Sequence, residues 1–185
     1  LVEIDISAYH PSIASKLIDY SFPTSDIHGH FASLYGVDYK KAKELTFKQL
    51  YGGVFESYKG LEFFKRINLY VLENWEKFNN EGFVKCPISN FVYTKEGLEN
   101  MNPQKLFNYI LQNLETSTNV LILWDIFCLL KSKNTKLILY TYDSFLFDFD
   151  ESETNILNEI RDIFKKYGLN IKEIEGYDYN FGKTA

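Results

Sequence analysis

The sequence predicts an α+β fold in which a small antiparallel sheet is backed by helices. Short stretches that are typical of strands occur at the beginning, in the last third and close to the end of the chain. Longer segments with apolar residues at helical spacing lie between them. With 185 residues, including 16 Phe and 14 Tyr, the chain is long enough to bury a substantial core in one domain.

Each element is predicted from its period and its bounding residues. Strands are predicted at 1–6, 82–86, 91–94, 136–142, 144–149 and 170–175, where 136–142 and 144–149 form a tight hairpin with Asp143 at its bend and 170–175 alternate as an edge strand. Helices are predicted where apolar residues recur every three to four positions: 11–20, 26–36, 38–52, 60–79, 103–131 and 152–167. Pro11 suits a helix start, Asp26 suits an N-cap, and Gly52-Gly53 suits a helix end.

Composition limits the function classes. The net charge of −5 and the pI of about 5.3 have the wrong sign for a protein that relies on general attraction to phosphate, which counts against a self-sufficient DNA binder. Cys86 and Cys128 form no CxxC motif, and we expect both to be buried thiols in a reducing compartment. The apolar run 120–130 is too short to cross a bilayer, so we expect no membrane association and a helix driven through the core.

The start of the chain also carries an expectation. No signal peptide is visible, and Leu1 stands directly in the first predicted strand. We therefore expect the chain to be the C-terminal portion of a longer polypeptide or one piece of a split one. The expected location is the cytoplasm of a bacterial cell or of a phage-infected host.

Two lone aspartates, Asp5 and Asp143, each stand at the end of a predicted strand among apolar residues. Either one alone is more simply a helix cap or a surface carboxylate. A carboxylate pair from separate strands, however, can hold divalent cations, and two such metals can activate a 3′ hydroxyl and stabilise a pyrophosphate leaving group. A charge close to a buried sheet also needs a partner or a cation.

One helix carries a second group of candidate residues. Lys43, Phe47 and Tyr51 follow one another at intervals of four, so they share one face of the predicted helix 38–52. That face can meet a triphosphate at one end and a base at the other. The simpler alternatives are that Lys43 is an ordinary solvated lysine and that the two aromatic residues pack in the core. Together with the aspartate pair, this helix face indicates a nucleotidyl-transfer site.

The motifs of the chain resemble those of family A DNA polymerases. They occur in the order of that family and span nearly the whole chain: Asp26-Ile27-His28, Lys43-x3-Phe47-x3-Tyr51-Gly52, Asn108-x3-Gln112 and Gly176-Tyr177-Asp178-Tyr179-Asn180-Phe181-Gly182. The resemblance implies a polymerase palm with reduced helical fingers, in which 1–37 and 102–185 form the palm and 38–101 the fingers. It also implies a DNA-directed DNA polymerase that uses dNTPs, primer-template DNA and two Mg²⁺ ions. An N-terminal thumb or exonuclease region, or a separate subunit, is the further partner expected.

The departures from the family make this a divergent member. The first motif, residues 5–13, is closer to the Asp-x3-Leu-Tyr-Pro-Ser-Ile stretch of family B polymerases. The last catalytic motif is Tyr142-Asp143-Ser144, where family A usually has His-Asp-Glu. Asp143-Ser144-Phe145 resembles the single-subunit, phage-type RNA polymerases, so an RNA polymerase or primase-like relative is the first alternative. A palm-like DNA-binding module that has lost catalysis is the second, and the acidic pI favours it.

The resemblance implies a role for each site residue. Asp5 and Asp143 would be the catalytic metal ligands, and the backbone carbonyl of Ile6 would add an oxygen ligand. The residues expected at the nucleotide are His28, Lys40, Lys43, Phe47 and Tyr51. His28 and Lys43 would bind phosphates, and Lys40 would help because Tyr39 occupies the position of a family arginine. Phe47 would stack on the incoming base, and Tyr51 would sit beneath the templating pair.

Sugar choice and duplex binding depend on three further residues. His10, five residues after Asp5, would occupy the space of a ribose 2′ hydroxyl and so favour deoxynucleotides; the bland alternative is a surface histidine that caps the next helix. Asn108 and Gln112 would share a helix face and bond minor-groove acceptors, which vary little with sequence. A merely solvated role is credible for Asn108 and less so for Gln112, which is flanked by Leu111 and Leu114.

Overall fold

The computed structural model describes residues 1–176. The strands are β1 (Val2–Ile6), β2 (Phe83–Lys85), β3 (Val92–Thr94), β4 (Lys136–Thr141), β5 (Ser144–Asp148) and β6 (Ile171–Glu175). The helices are α1 (Tyr9–Leu17), α2 (Ile27–Tyr35), α3 (Tyr39–Gly52), α4 (Glu62–Glu81), α5 (Pro103–Leu130) and α6 (Ile156–Lys166), with a 3₁₀ turn at Glu56–Tyr58. The predicted α+β fold is confirmed. Residues 177–182 of the closing motif lie outside the described part.

The chain divides into two compact units. The first, called the sheet unit, consists of 1–9 and 116–185, described as far as 176; the second, called the helical unit, consists of 10–115. The helical unit also contains the β2–β3 hairpin, whose strands pair in an antiparallel register. None of the helices in the described part of the chain is long and apolar enough to cross a membrane.

The sheet unit is built on four antiparallel strands in the order β4-β5-β1-β6. Along β1 the side chains alternate, so Val2, Ile4 and Ile6 are buried while Glu3 and Asp5 are partly exposed on the other face. Helix α6 covers the buried face with its apolar stripe, and the Phe164 ring meets the Phe145 ring edge-on at 5.1 Å. The carboxylates of β1 therefore lie on the face away from this contact.

The helical unit has an aromatic core. Phe31 of α2 lies 5.4 Å, centroid to centroid, from both Phe63 and Phe64 of α4, and none of the three is more than 2% exposed. The Asp26 side chain accepts a hydrogen bond from the Gly29 amide and caps α2, as the sequence predicts. Helix α3 ends before Gly53, where φ is +101°, a backbone conformation that favours glycine.

Two expectations about burial are wrong. The run 120–130 lies in α5 but does not pass through the core, because only one stripe of it, Ile122, Ile126 and Leu130, is buried. The opposite face leaves large apolar side chains exposed: Val120, Leu121, Trp124 and Phe127. Cys128 lies on that exposed face, whereas Cys86 is buried as expected. An all-round apolar run gives no period from which the buried side can be predicted.

Candidate functional site

The sheet unit brings Asp5 and Asp143 together. Asp5, one residue from the end of β1, pairs with Ser144, the first residue of β5. Asp143 stands in the turn between β4 and β5, and its backbone carbonyl accepts a hydrogen bond of 2.8 Å from the Ile6 amide. The two aspartates thus lie at the ends of adjacent antiparallel strands of one sheet.

The electrostatics of this edge disfavour negative charge on Asp5. Partial burial is the main cause that raises the pKa of Asp5, and the like charges of Glu3 and Asp143 raise it further. The nearby Ser144 hydroxyl and the charge of Lys172 act in the opposite direction. A divalent cation bound to the aspartates would relieve the repulsion, because it supplies positive charge.

The donors present fit Mg²⁺. No group of three or more His, Cys, Asp or Glu within residues 1–176 is arranged to hold a metal ion. Mg²⁺, however, is commonly bound by one or two carboxylates and completes its octahedron with water and substrate phosphate oxygens. Asp5 and Asp143 offer only hard oxygen donors and are brought to one place by the sheet. The Ile6 carbonyl as a further ligand stays a prediction.

Glu3 is a residue of this edge that sequence reasoning missed. It precedes Asp5 by two positions and therefore points to the same face of β1. Its Oε1 atom accepts a hydrogen bond of 2.7 Å from the hydroxyl of Ser144. The alternation along 2–6 was the signal that could have identified it.

The turn that carries Asp143 is held from α5 by Asn119. The amide nitrogen of Asn119 donates to the Tyr142 carbonyl at 2.9 Å and to the Tyr140 hydroxyl at 2.6 Å. Its amide oxygen accepts from the Tyr9 hydroxyl at 2.7 Å. One of these bonds is to the backbone of Tyr142, which has a φ of +52°, unusual for a residue other than glycine. Asn119 is 3% exposed and was not predicted as a site residue.

In the helical unit, α3 presents Lys43, Phe47 and Tyr51 one above the other. The Phe47 and Tyr51 rings are nearly parallel, with an interplanar angle of 4° and centroids 5.9 Å apart. The Lys43 ammonium lies 6.0 Å from the centre of the Phe47 ring. Lys43 and Lys40 are exposed, whereas Phe47 and Tyr51 are half-buried. The three residues therefore form one continuous face, as their spacing predicts.

His28 lies beside this face but is buried. Its ring is 5.7 Å from the Tyr39 ring and 5.8 Å from the Phe47 ring, and only 5% of the residue is exposed. These contacts bring the Asp26-Ile27-His28 motif to the helix that carries Lys43. The phosphate contact of His28 stays a prediction.

His10 is hydrogen-bonded to residues of two other helices. It lies in the first turn of α1, where its Nδ1 atom is hydrogen-bonded to the Tyr51 hydroxyl and its Nε2 atom to Glu115 of α5 at 2.7 Å. Burial and the negative charge of Glu115 raise the pKa of Tyr51 to about 12. His10 is therefore a half-buried, fixed side chain of α1, and Glu115 is a partner that no sequence motif identified.

The burial of Asn108 and Gln112 is opposite to the expectation, which gave a solvated position to Asn108 rather than to Gln112. Asn108 donates to the backbone carbonyl of Tyr51 at 3.1 Å, and its own Oδ1 atom is buried without a hydrogen-bond partner among the described residues. Gln112 is exposed. The leucines at 111 and 114 lie about 100° and 200° around the helix from position 112, so they do not bury it. The minor-groove role of both residues stays a prediction.

Comparisons with known proteins establish the fold. No protein-family model matches the sequence, and no curated protein matches it. The structure is similar to the solved polymerase domain of Pol1 from M. smegmatis, determined in complex with a DNA primer-template and dNTP, with a TM-score of 0.74 and 12% sequence identity. The match covers 99% of this chain and 40% of that chain. This protein thus shares its α+β architecture with part of the polymerase domain of a bacterial Pol1.

Proposed function

We propose that this chain is the catalytic part of a divergent family A DNA polymerase, which transfers nucleotidyl groups from dNTPs to a primer 3′ end under the direction of a template. The observation that carries the proposal is the position of Asp5 and Asp143 at adjacent strand ends of one sheet, in a fold shared with a polymerase domain. Residues 1–37 and 102–185 would form the palm, and 38–101 the reduced fingers. Such an enzyme would act in the cytoplasm of a bacterial cell or of a phage-infected host.

The two aspartates would hold two Mg²⁺ ions, with the Ile6 carbonyl as an additional ligand. When bound, these ions would make the primer 3′ hydroxyl a better nucleophile and neutralise charge on the leaving pyrophosphate. The part of Asp5 and Asp143 is to fix the position at which the primer end and the α-phosphate meet. The antiparallel pairing of β1 and β5 supports this role, since it places Asp5 opposite Ser144, the residue that follows Asp143.

The face of α3 would bind the nucleotide. Lys43, helped by Lys40 and His28, would contact the phosphates, and a lysine suits them as a compact positive charge. Phe47 would stack on the incoming base, and Tyr51 would lie beneath the templating pair. The exposure of Lys43 next to two stacked, half-buried rings supports this division, because charge and apolar surface follow one another along the helix.

Sugar selection and duplex contact complete the proposal. His10 would exclude a ribose 2′ hydroxyl by its bulk, and its two hydrogen bonds support this role because a fixed ring cannot make room. Gln112 and Asn108 would contact minor-groove acceptors of the primer-template. The net charge of −5 supports an additional duplex-gripping surface in a thumb or exonuclease region or in a separate subunit.

A phage-type RNA polymerase or primase-like enzyme is the second candidate, and Ser144 is the observation that favours it. Serine follows the catalytic aspartate in those enzymes, as it does here. The choice of nucleotide separates the two candidates. Incorporation of dNTPs over NTPs supports the DNA polymerase, and the reverse preference supports the RNA polymerase. A module without catalysis would incorporate neither.

Primer extension in Mg²⁺ with the Asp143→Ala variant tests the proposal. We expect the variant to lose extension and to keep its affinity for primer-template DNA, because the change removes a metal ligand and leaves the duplex contacts intact. Asp148→Ala is the matched control, since Asp148 is an exposed aspartate at the other end of β5. DNA binding is measured by fluorescence anisotropy. Near-normal turnover of Asp143→Ala would remove Asp143 from the mechanism and refute the proposal.

A further inference from the structure

The His10 ring is fixed at both of its nitrogens. Tyr51, in the last turn of α3, contacts Nδ1, and Glu115 of α5 contacts Nε2. The Tyr51 ring meets the imidazole edge-on, with centroids 5.5 Å apart. The His10 and Glu115 side chains are only 13% and 17% exposed. A histidine ring turns readily about its last torsion, since the preferences there are broad, so the two contacts restrain a motion that the side chain would otherwise make.

The partners also determine which nitrogen carries the hydrogen. An ionised carboxylate only accepts hydrogen bonds, so the Nε2 atom next to Glu115 must donate. In the neutral ring Nδ1 is then the acceptor, and it takes the hydroxyl hydrogen of Tyr51. Tyr51 keeps that hydrogen at neutral pH because burial and the charge of Glu115 raise its pKa to about 12.

Of the two partners of His10, Glu115 is the one that selects the tautomer of the ring. A tyrosine hydroxyl can donate or accept, so Tyr51 suits either neutral form of His10. The carboxylate suits only the form protonated at Nε2. Removal of Glu115 would therefore delete the contact that requires a hydrogen on Nε2 and the restraint from α5.

We propose that Glu115 is a positioning residue that fixes the orientation and tautomer of His10 and thereby sets how strongly the enzyme excludes ribonucleotides. The inference rests on the proposed polymerase function, because it assigns His10 to the sugar. Steric exclusion of a 2′ hydroxyl requires bulk that does not move aside. Glu115 supplies this rigidity without contacting the nucleotide itself.

The test compares Glu115→Ala, Glu115→Gln and His10→Ala in single-nucleotide incorporation with dNTP and NTP. We expect the preference for dNTP over NTP to fall about tenfold in Glu115→Ala, the effect of losing one charge-assisted hydrogen bond. Glu115→Gln, whose amide oxygen can still accept from Nε2, should keep part of the preference. The double variant His10→Ala/Glu115→Ala should prefer dNTP over NTP no less than His10→Ala alone does, because the two residues act through one ring. Thr116→Ala, an exposed neighbour on α5, is the control.

A second measurement needs no turnover. In ¹⁵N NMR spectra recorded above the usual titration range of histidine, the His10 ring should be protonated at Nε2, and Glu115→Ala should abolish this preference. His10→Ala assigns the signals, since the chain has only 3 histidines. An unchanged tautomer, or unchanged sugar discrimination in an active Glu115→Ala enzyme, would overturn the inference alone. A wild-type protein that incorporates neither nucleotide type would instead overturn the proposed function, and the sugar role of Glu115 with it.

Discussion

The turn that carries Asp143 depends on a single buried amide, and its removal gives a specific prediction. The Asn119→Ala substitution deletes the hydrogen bonds to the Tyr142 carbonyl, the Tyr140 hydroxyl and the Tyr9 hydroxyl. Asn119 is 3% exposed, so water cannot replace the amide without rearrangement. We expect the β4–β5 turn to relax, because the positive φ of Tyr142 then lacks its main restraint.

The size of the effect follows from the number of bonds. A buried hydrogen bond contributes about 0.5–1.5 kcal/mol net, so three of them amount to about 3 kcal/mol. The tyrosine hydroxyls can turn towards other acceptors and recover part of this. We therefore expect Asn119→Ala to lower the free energy of unfolding by about 2–3 kcal/mol.

Urea denaturation of a double-mutant cycle is the assay. Tyr9→Phe removes one hydroxyl and nothing else, and its effect should be smaller in the Asn119→Ala background by about 0.5–1.5 kcal/mol. Tyr142→Phe is the control, because Tyr142 is 79% exposed and its hydrogen bond with Asn119 is made by its backbone carbonyl, which the substitution keeps. We expect that control to change stability by less than about 0.5 kcal/mol. Additive effects of Tyr9→Phe and Asn119→Ala would refute the reasoning.

Two further predictions concern the charges of the candidate site. Lys43→Ala should weaken dNTP affinity about ten- to a hundredfold, and Lys40→Ala should weaken it less, as measured by pre-steady-state incorporation. Lys48→Ala, which removes an ion pair with Glu44 on the same helix, is the control and should leave dNTP affinity unchanged. If Lys43→Ala and the wild type bound dNTP with equal affinity, α3 would not be part of a nucleotide site. Asp5→Asn should raise the melting temperature without metal, because the raised pKa of Asp5 means that its ionised form costs stability at neutral pH. Mg²⁺ should raise the melting temperature of the wild type only; an equal rise in the variant would argue against Asp5 as a ligand.

Much of the fold could be predicted because its signals are local. The cap at Asp26 and the glycine end of α3 depend on a few neighbouring residues. Strand β1 alternates apolar and acidic residues, and β5 is a short, mostly apolar run that follows the turn at Asp143. Helix α6 departs from its predicted start at 152 because Asp150 bonds both the amide and the hydroxyl of Ser152, which holds that segment in a turn.

What could not be predicted depends on contacts between distant positions. Glu115 is an ordinary helix-surface residue in the sequence, and only the fold brings its carboxylate to His10, which is 105 positions away. Asn119 continues the buried stripe of Ile122 and Ile126 at helical spacing. That spacing predicts a buried amide, which must be bonded, but it does not identify Tyr9 and the 140–142 segment as the partners.

Ser144 stands where the resemblance to family A polymerases implies a glutamate, and Glu3 is bonded to it. The serine hydroxyl donates to the Glu3 carboxylate from the neighbouring strand, so a third acidic group stays at this edge although position 144 is neutral. Glu3 acts there through its charge, since it raises the pKa of Asp5 and is itself bonded to Ser144. Because β1 alternates, position 3 is the nearest one on that strand that shares a face with Asp5. The negative charge at this edge is thus contributed by Glu3 and Asp5 of β1 and by Asp143 of the β4–β5 turn.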